Sequence, residues 1–192
     1  IILTHVHLDH AGGAGSLMQV CPNAKLVVHP RGSRHMIDPT QLRAGAVAVY
    51  GEDIVQRDYG KLLPVEAHRV VEATDGMMIN FAGRVLTCID TPGHAKHHIT
   101  IWDQKSHGAF TGDTFGLSYR EFDNENGAFI IPTTTPIQFD PKSLRISLKR
   151  IMAFNPECLY PTHFSKVTNV ERLYQKMTEM LKTIKALKSY DV

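Results

Sequence analysis

The chain has 192 residues, 43% of them hydrophobic and 21% charged, with a formal net charge of +2. That size and apolar content suit one domain with a substantial core and exclude extended disorder. No block of like charge points to a nucleic-acid or membrane surface, and no apolar run reaches the length needed to span a bilayer.

In chain order, Ile1–Thr4 reads as the end of a strand, short, apolar and β-branched. An apolar opening of this kind reads as the interior of a longer protein, so an N-terminal portion, with any targeting signal, is expected to be missing. His5–Gly13 reads as a loop, and Ala14–Val20 as a short helix. Lys25–His29 reads as a strand centred on Leu26-Val27-Val28. Residues 30–64 differ in character: Gln41–Tyr50 and Glu52–Tyr59 favour helix, with Pro30, Pro39, Gly51, Gly60 and Pro64 as punctuation. They read as a helical insertion.

From His68 onward strands dominate, at Arg69–Ala73, Met77–Phe81, Arg84–Asp90, His98–Trp102 and Gly108–Thr111, with turn signals at Asp75-Gly76, Ala82-Gly83 and Asp103–Ser106. Thr114–Phe139 is a long irregular stretch, the kind of loop that is usually functional or mobile. Asp140-Pro141 reads as an N-cap with proline at the first helical position, opening a helix to about Phe154. Cys158–Tyr160 is a short strand. Thr168 and Glu171 fit a capping box, followed by an apolar face of Val170, Leu173, Tyr174, Met177, Met180, Leu181, Ile184 and Leu187. Lysines 176, 182, 185 and 188 lie mostly off that face, as a solvated surface.

The three cysteines, Cys21, Cys88 and Cys158, are widely spaced and read as buried apolar residues in a reducing compartment. Histidine is the anomaly, at eleven residues. Four metal-competent groups, His5, His7, Asp9 and His10, fall within six residues, and buried imidazoles and carboxylates cost several kcal/mol unless partnered. Nitrogen and oxygen donors without thiolate suit zinc first, with iron or manganese as alternatives. His94 follows a strand through the turn Thr91-Pro92-Gly93, Asp113 follows Gly112 at another strand end, and His163 follows Thr162 at a third. Each is unremarkable alone. The shared placement at carboxyl ends of strands is where sheet-based sites are assembled.

The stretch HVHLDH resembles the HxHxDH signature of the metallo-β-lactamase superfamily, and TPGHAKHH, GDT and THF resemble the family's downstream motifs in the family's order. The resemblance implies an α/β fold, an αββα sandwich whose N-terminal strands precede Ile1, over the whole chain except the insertion. It implies a first metal held by His5, His7 and His94. A second would be held by Asp9, His10 and His163, with Asp113 bridging the two and Asp9 orienting the nucleophile. The implied activity is metal-dependent hydrolysis of a small ester, thioester or lactone by a metal-bridging hydroxide. The implied cofactors are two divalent ions, zinc first, and the implied partner is a small-molecule substrate in the cytoplasm, with a homo-oligomer compatible and no nucleic acid or membrane partner.

Departures bear on substrate. Glyoxalase II-type thioesterases of the family tend to read TPGHTxGH, whereas Ala95, Lys96 and His97 stand here before His98, which weakens a glutathione-thioester assignment. His98 is expected to open a strand and hydrogen-bond locally. His7 stands where flavodiiron members carry glutamate. Tyr119, Arg120, Phe122, Phe129, Arg31, Arg34 and His35 are candidates for substrate contact; in the plainer alternative Tyr119 and Phe129 pack the loop and Arg120 pairs with Glu121 or Glu125. His29, His35, His68 and His107 receive no catalytic role. Two rival functions remain: an iron-dependent oxidoreductase resembling the family's persulfide dioxygenases, and a non-catalytic domain that keeps metal for stability.

Overall fold

A computed structural model describes residues 1–135 and 138–187; Lys188 lies outside them, as do the side chains of Lys185 and Leu187. The chain forms two compact units, Ile1–Thr74 and Asp75 onward.

In the first unit, α1 (Leu8–Ala11) and α2 (Ala14–Val20) precede β1 (Leu26–Val28), followed by α3 (Pro30–Ile37), α4 (Thr40–Tyr50), α5 (Glu52–Tyr59) and β2 (Val70–Glu72). β1 pairs in parallel with β2, and Ile2 bridges Val27 in the same sense. The expected strand end at Ile1–Thr4 is therefore present as pairing: Leu3 N–H donates to the Val27 carbonyl at 2.9 Å and Val27 N–H to Ile1 at 2.8 Å. Leu3, Val6, Ala14, Met18, Leu26, Val28, Met36 and Val65 form the core of this unit, and Leu8, Val55 and Leu62 form a smaller cluster. Arg69 donates to the carbonyl of Met18 in the last turn of α2 and to those of Cys21 and Ala24 just beyond it.

Two departures from the sequence reading occur here. The segment after the first histidine is not wholly loop, because Leu8–Ala11 closes a helical turn. Pro30 does not break structure but begins α3: it is the first helical residue, where a missing N–H costs nothing, and the His29 side chain accepts the Arg31 N–H at 2.9 Å as the cap.

The second unit is a five-stranded sheet in the order β3-β4-β5-β6-β7, formed by β3 (Met78–Phe81), β4 (Arg84–Asp90), β5 (Ile99–Asp103), β6 (Gly108–Gly112) and β7 (Cys158–Pro161). β5 runs antiparallel to both β4 and β6, and β7 runs parallel to β6. The carboxyl ends of β4, β6 and β7 consequently share one edge of the sheet.

Two helices, α6 (Pro141–Met152) and α7 (Val170–Leu187), supply Leu144, Leu148, Ile151, Leu173, Met177 and Leu181 to a core completed by Ile89, Trp102, Ala109, Phe115 and Leu159. Asp140 caps α6 as the sequence indicates, its carboxylate accepting the Lys142 and Ser143 N–H groups. The capping box at Thr168 is not formed. α7 starts at Val170, and Asn169, at φ +55°, supplies its first helical carbonyl, so Thr168 lies one residue too early. Glu171 instead accepts from Gln175 one turn on. No helix among the described residues is long and apolar enough to cross a membrane.

Candidate metal centre

In the first unit Val6 and Leu8 enter apolar clusters, while His5 is fully buried and His7, between them, partly buried. His7 is still extended (φ −64°, ψ 151°) and serves as the N-cap of α1, its carbonyl accepting the N–H groups of His10 and Ala11. That single helical turn swings His10 back over His5, with ring centroids 3.9 Å apart, while His5 and His7 meet edge-on at 4.6 Å. His10 Nε2 lies 3.2 Å from Asp9 Oδ2, and His5 Nδ1 lies 3.1 Å from the Thr4 hydroxyl. Three imidazoles and a carboxylate thus gather within one turn. Asp9 arrives there on the short helix α1, within a segment that reads from sequence as loop.

In the second unit His94, Asp113 and His163 each follow a strand on the shared edge. Gly93 makes the turn before His94 at φ +136°, a conformation that side chains rarely adopt, and a Cβ there would collide with the Leu144 backbone. α6 braces this turn: Ser147 Oγ donates to Pro92 O at 2.6 Å, Arg150 Nη1 to Asp90 O at 2.7 Å, and Asp140 N–H to Gly93 O at 2.8 Å.

Asp113 is nearly buried, and its two oxygens face different rings. Oδ2 lies 3.5 Å from His94 Nε2, and Oδ1 lies 3.6 Å from His163 Nε2. These separations exceed the usual length of a charge-assisted hydrogen bond, about 2.7–2.9 Å. Two donors bound at about 2.0–2.1 Å to one tetrahedral zinc stand roughly 3.3 Å apart, close to what is seen. His94 Nδ1 donates to the Thr133 carbonyl at 3.4 Å, which leaves Nε2, on the side of Asp113, as the nitrogen available to a metal. On the chemistry of the donors, both sets fit divalent metal.

The stretch after β6, residues 114–135, contributes supports that sequence reasoning does not identify. Thr133 Oγ1 donates to Asp113 O at 2.6 Å, and Thr135 Oγ1 donates to His94 O at 3.0 Å. The only signal in the sequence is the run Thr133-Thr134-Thr135.

His98 opens β5 as expected and makes local hydrogen bonds. Its Nε2 accepts the Asp113 N–H at 3.2 Å, so Nδ1 carries the proton. The Thr114 hydroxyl donates to Thr91 O and therefore accepts from that Nδ1–H at 3.0 Å. His98 holds the backbone of Asp113.

Tyr119 packs its ring against Phe122 and Phe164, and Phe129 packs on Phe122. Arg120 pairs with Asp123 at 3.1 Å, rather than with Glu121 or Glu125, and donates to the carbonyls of Phe164 and Lys166.

The sequence pattern that describes the metallo-beta-lactamase superfamily matches residues 1–163. The chain belongs to that superfamily. Its fold class is the α/β metallo-β-lactamase fold, αββα in its full form.

A metallo-beta-lactamase fold-containing protein from Sulfurisphaera tokodaii, ST1585, is 31% identical over 167 residues, covering 85% of this chain and 59% of that protein. Its crystal structure superposes with a TM-score of 0.78 over 94% of this chain and 67% of that one, at 29% identity. An atrochrysone carboxyl ACP thioesterase from Aspergillus fumigatus is 24% identical over 92% of this chain and 41% of its own length. A hydroxyacylglutathione hydrolase from Aeromonas hydrophila is 29% identical over 91% of this chain and 51% of its own. The chain spans roughly half the length of these curated relatives.

Proposed function

We propose that this metallo-β-lactamase superfamily member is a dinuclear metal-dependent hydrolase acting on a small ester, thioester or lactone. The observation that carries the reading is Asp113, whose two carboxylate oxygens each face a different imidazole, as a carboxylate shared between two cations would. His5, His7 and His94 would hold one ion, and Asp9, His10 and His163 the other. Zinc is the first choice for such nitrogen and oxygen donors. A pair of divalent cations supplies a hydroxide at neutral pH, by lowering the pKa of water towards about 7, and positive charge for a developing oxyanion.

The protein's own groups do the positioning. Thr133 and His98 hold His94 and Asp113 from behind. Asp9, on the first turn of α1, accepts a hydrogen bond from the attacking water and aims it at the electrophilic carbon. The relatives named as a thioesterase and a hydroxyacylglutathione hydrolase support a thioester within the substrate class. Ala95, Lys96 and His97 in place of the TPGHTxGH pattern favour an acyl carrier other than glutathione. The reading includes a small molecule as partner and the cytoplasm as compartment.

The test is metal analysis of the purified protein beside a panel of ester, thioester and lactone substrates. About two equivalents of zinc or manganese with hydrolysis is the expected result. Asp113→Ala should reduce turnover by at least about a thousandfold and lower the metal content. One equivalent of iron with oxygen consumption would point to a dioxygenase instead, and wild-type turnover in the Asp113 variant would remove the central assignment.

A further inference from the structure

We propose that Arg120 is a positioning residue for His163, acting through the backbone of the loop that carries this histidine. The inference rests on the dinuclear reading above, because it concerns one ligand of the second ion. His163 stands between β7 and α7 in a loop closed at its base by Leu159 and Val167, whose N–H and carbonyl groups pair in both directions at 2.9 and 3.0 Å. On the near side of His163, Thr162 N–H donates to Gly112 O at 3.2 Å, which ties it to the end of β6 just before Asp113.

On the far side, Phe164 and Ser165 both have left-handed backbone, at φ +76° and φ +71°. Residues that carry a Cβ adopt that conformation only where their surroundings impose it. The surroundings here are the Arg120 guanidinium. Its Nε and Nη2 donate to Phe164 O at 3.1 and 2.8 Å, and Nη2 also reaches Lys166 O at 3.2 Å. Tyr119 lies over the Phe164 ring with centroids 4.5 Å apart, and Asp123 holds the guanidinium from its other side at 3.1 Å.

The arrangement gives a physical meaning to an arginine that sequence reading offers as a substrate contact. A planar fork that meets two carbonyls fixes both the direction of Phe164 and the left-handed turn after it. That turn sets where the His163 imidazole points relative to Asp113 Oδ1, 3.6 Å away. Without the fork, the two left-handed residues can relax to ordinary backbone, and the imidazole swings with them. Supports of ligating histidines typically influence metal affinity by about 10- to 100-fold. The second ion should feel this loss and the first should not.

Stepwise titration of the metal-free full chain with Co(II), followed by absorption of the bound ion, tests this without relying on activity. Wild-type should fill in two steps. Arg120→Ala should keep the first step and weaken the second by about 10- to 100-fold, with Arg120→Lys and Arg120→Gln recovering part of the loss. Arg172→Ala removes a brace of the stretch that carries Arg120, the 2.6 Å bond from α7 to Ala128 O, without touching Phe164 or Lys166, and should leave both steps intact. Both steps unchanged in Arg120→Ala, or both weakened equally in Arg120→Ala and Arg172→Ala, would overturn the proposal. A wild-type protein that takes up only one Co(II) would overturn the dinuclear reading, and this inference with it.

Discussion

At the scale of single residues, the sheet separates stability from chemistry by edge. Asp103 ends β5, which runs against β4 and β6, so it sits on the edge opposite His94, Asp113 and His163. It is almost fully buried, and Arg84, the Ser106 hydroxyl and the Lys105 N–H all donate to it. The Arg84 hydrogen bond is the largest influence and, with the others, holds its carboxyl down to about 2. A carboxyl depressed in the folded state stabilises the fold above its unfolded pKa, near 4, and that contribution fades as pH falls towards 2. Arg84→Ala should therefore cost about 1–3 kcal/mol at pH 7, measured by urea unfolding in EDTA. The gap to wild-type should narrow between pH 4 and pH 2. Metal binding should be unaffected, since none of the proposed ligands lies on that edge; a gap independent of pH would contradict the assignment.

At the scale of elements, α6 acts as a brace for a turn. Pro92, Gly93 and Asp90 each accept from this helix or its cap, and Gly93 has no room for a side chain against Leu144. Gly93→Ala combines backbone strain with a steric collision, so a loss of about 2–4 kcal/mol is expected in thermal or urea unfolding. His94 should lose its place with the turn, so zinc affinity should fall in the same variant. Normal affinity in a destabilised Gly93→Ala protein would mean that His94 is positioned by the Thr133 loop alone.

The same elements explain what could be read in advance. β4 and α5 were legible to the residue, because an apolar run between Gly83 and Pro92 and a helical stretch between Gly51 and Gly60 are bounded by local signals. α1 was not legible, since four residues, Leu8–Ala11, form too short a window for periodicity and its cap is His7, not a serine or aspartate. α3 hid behind Pro30, a residue that both breaks and begins helices. Within the candidate site, the proposed ligands can be named from the sequence motifs, whereas the contacts that hold them in place cannot. Thr133 reaches Asp113 across twenty residues, and Arg120 reaches Phe164 across 44, separations at which a sequence carries no periodic signal.

At the scale of the whole molecule, the proposed ligands are divided between two compact units, with His5, His7, Asp9 and His10 in one and His94, Asp113 and His163 in the other. Each unit has its own buried cluster, around Met18 and Leu26 in the first and around Leu148 and Leu159 in the second. If the seven residues act together, zinc is a ligand of the folded form of both units at once. At a free concentration a hundred times its dissociation constant it should then add about 2.7 kcal/mol to each, a protection of roughly a hundredfold in amide exchange by global opening. Hydrogen exchange can follow Val28 in β1 and Leu159 in β7 with and without zinc. His7→Ala removes a ligand from the first unit alone, yet it should reduce the zinc-dependent protection of Leu159 as well as that of Val28. If Leu159 keeps its full gain in that variant, the second unit binds zinc through His94, Asp113 and His163 unaided, and the seven-residue centre must be divided into two separate sites.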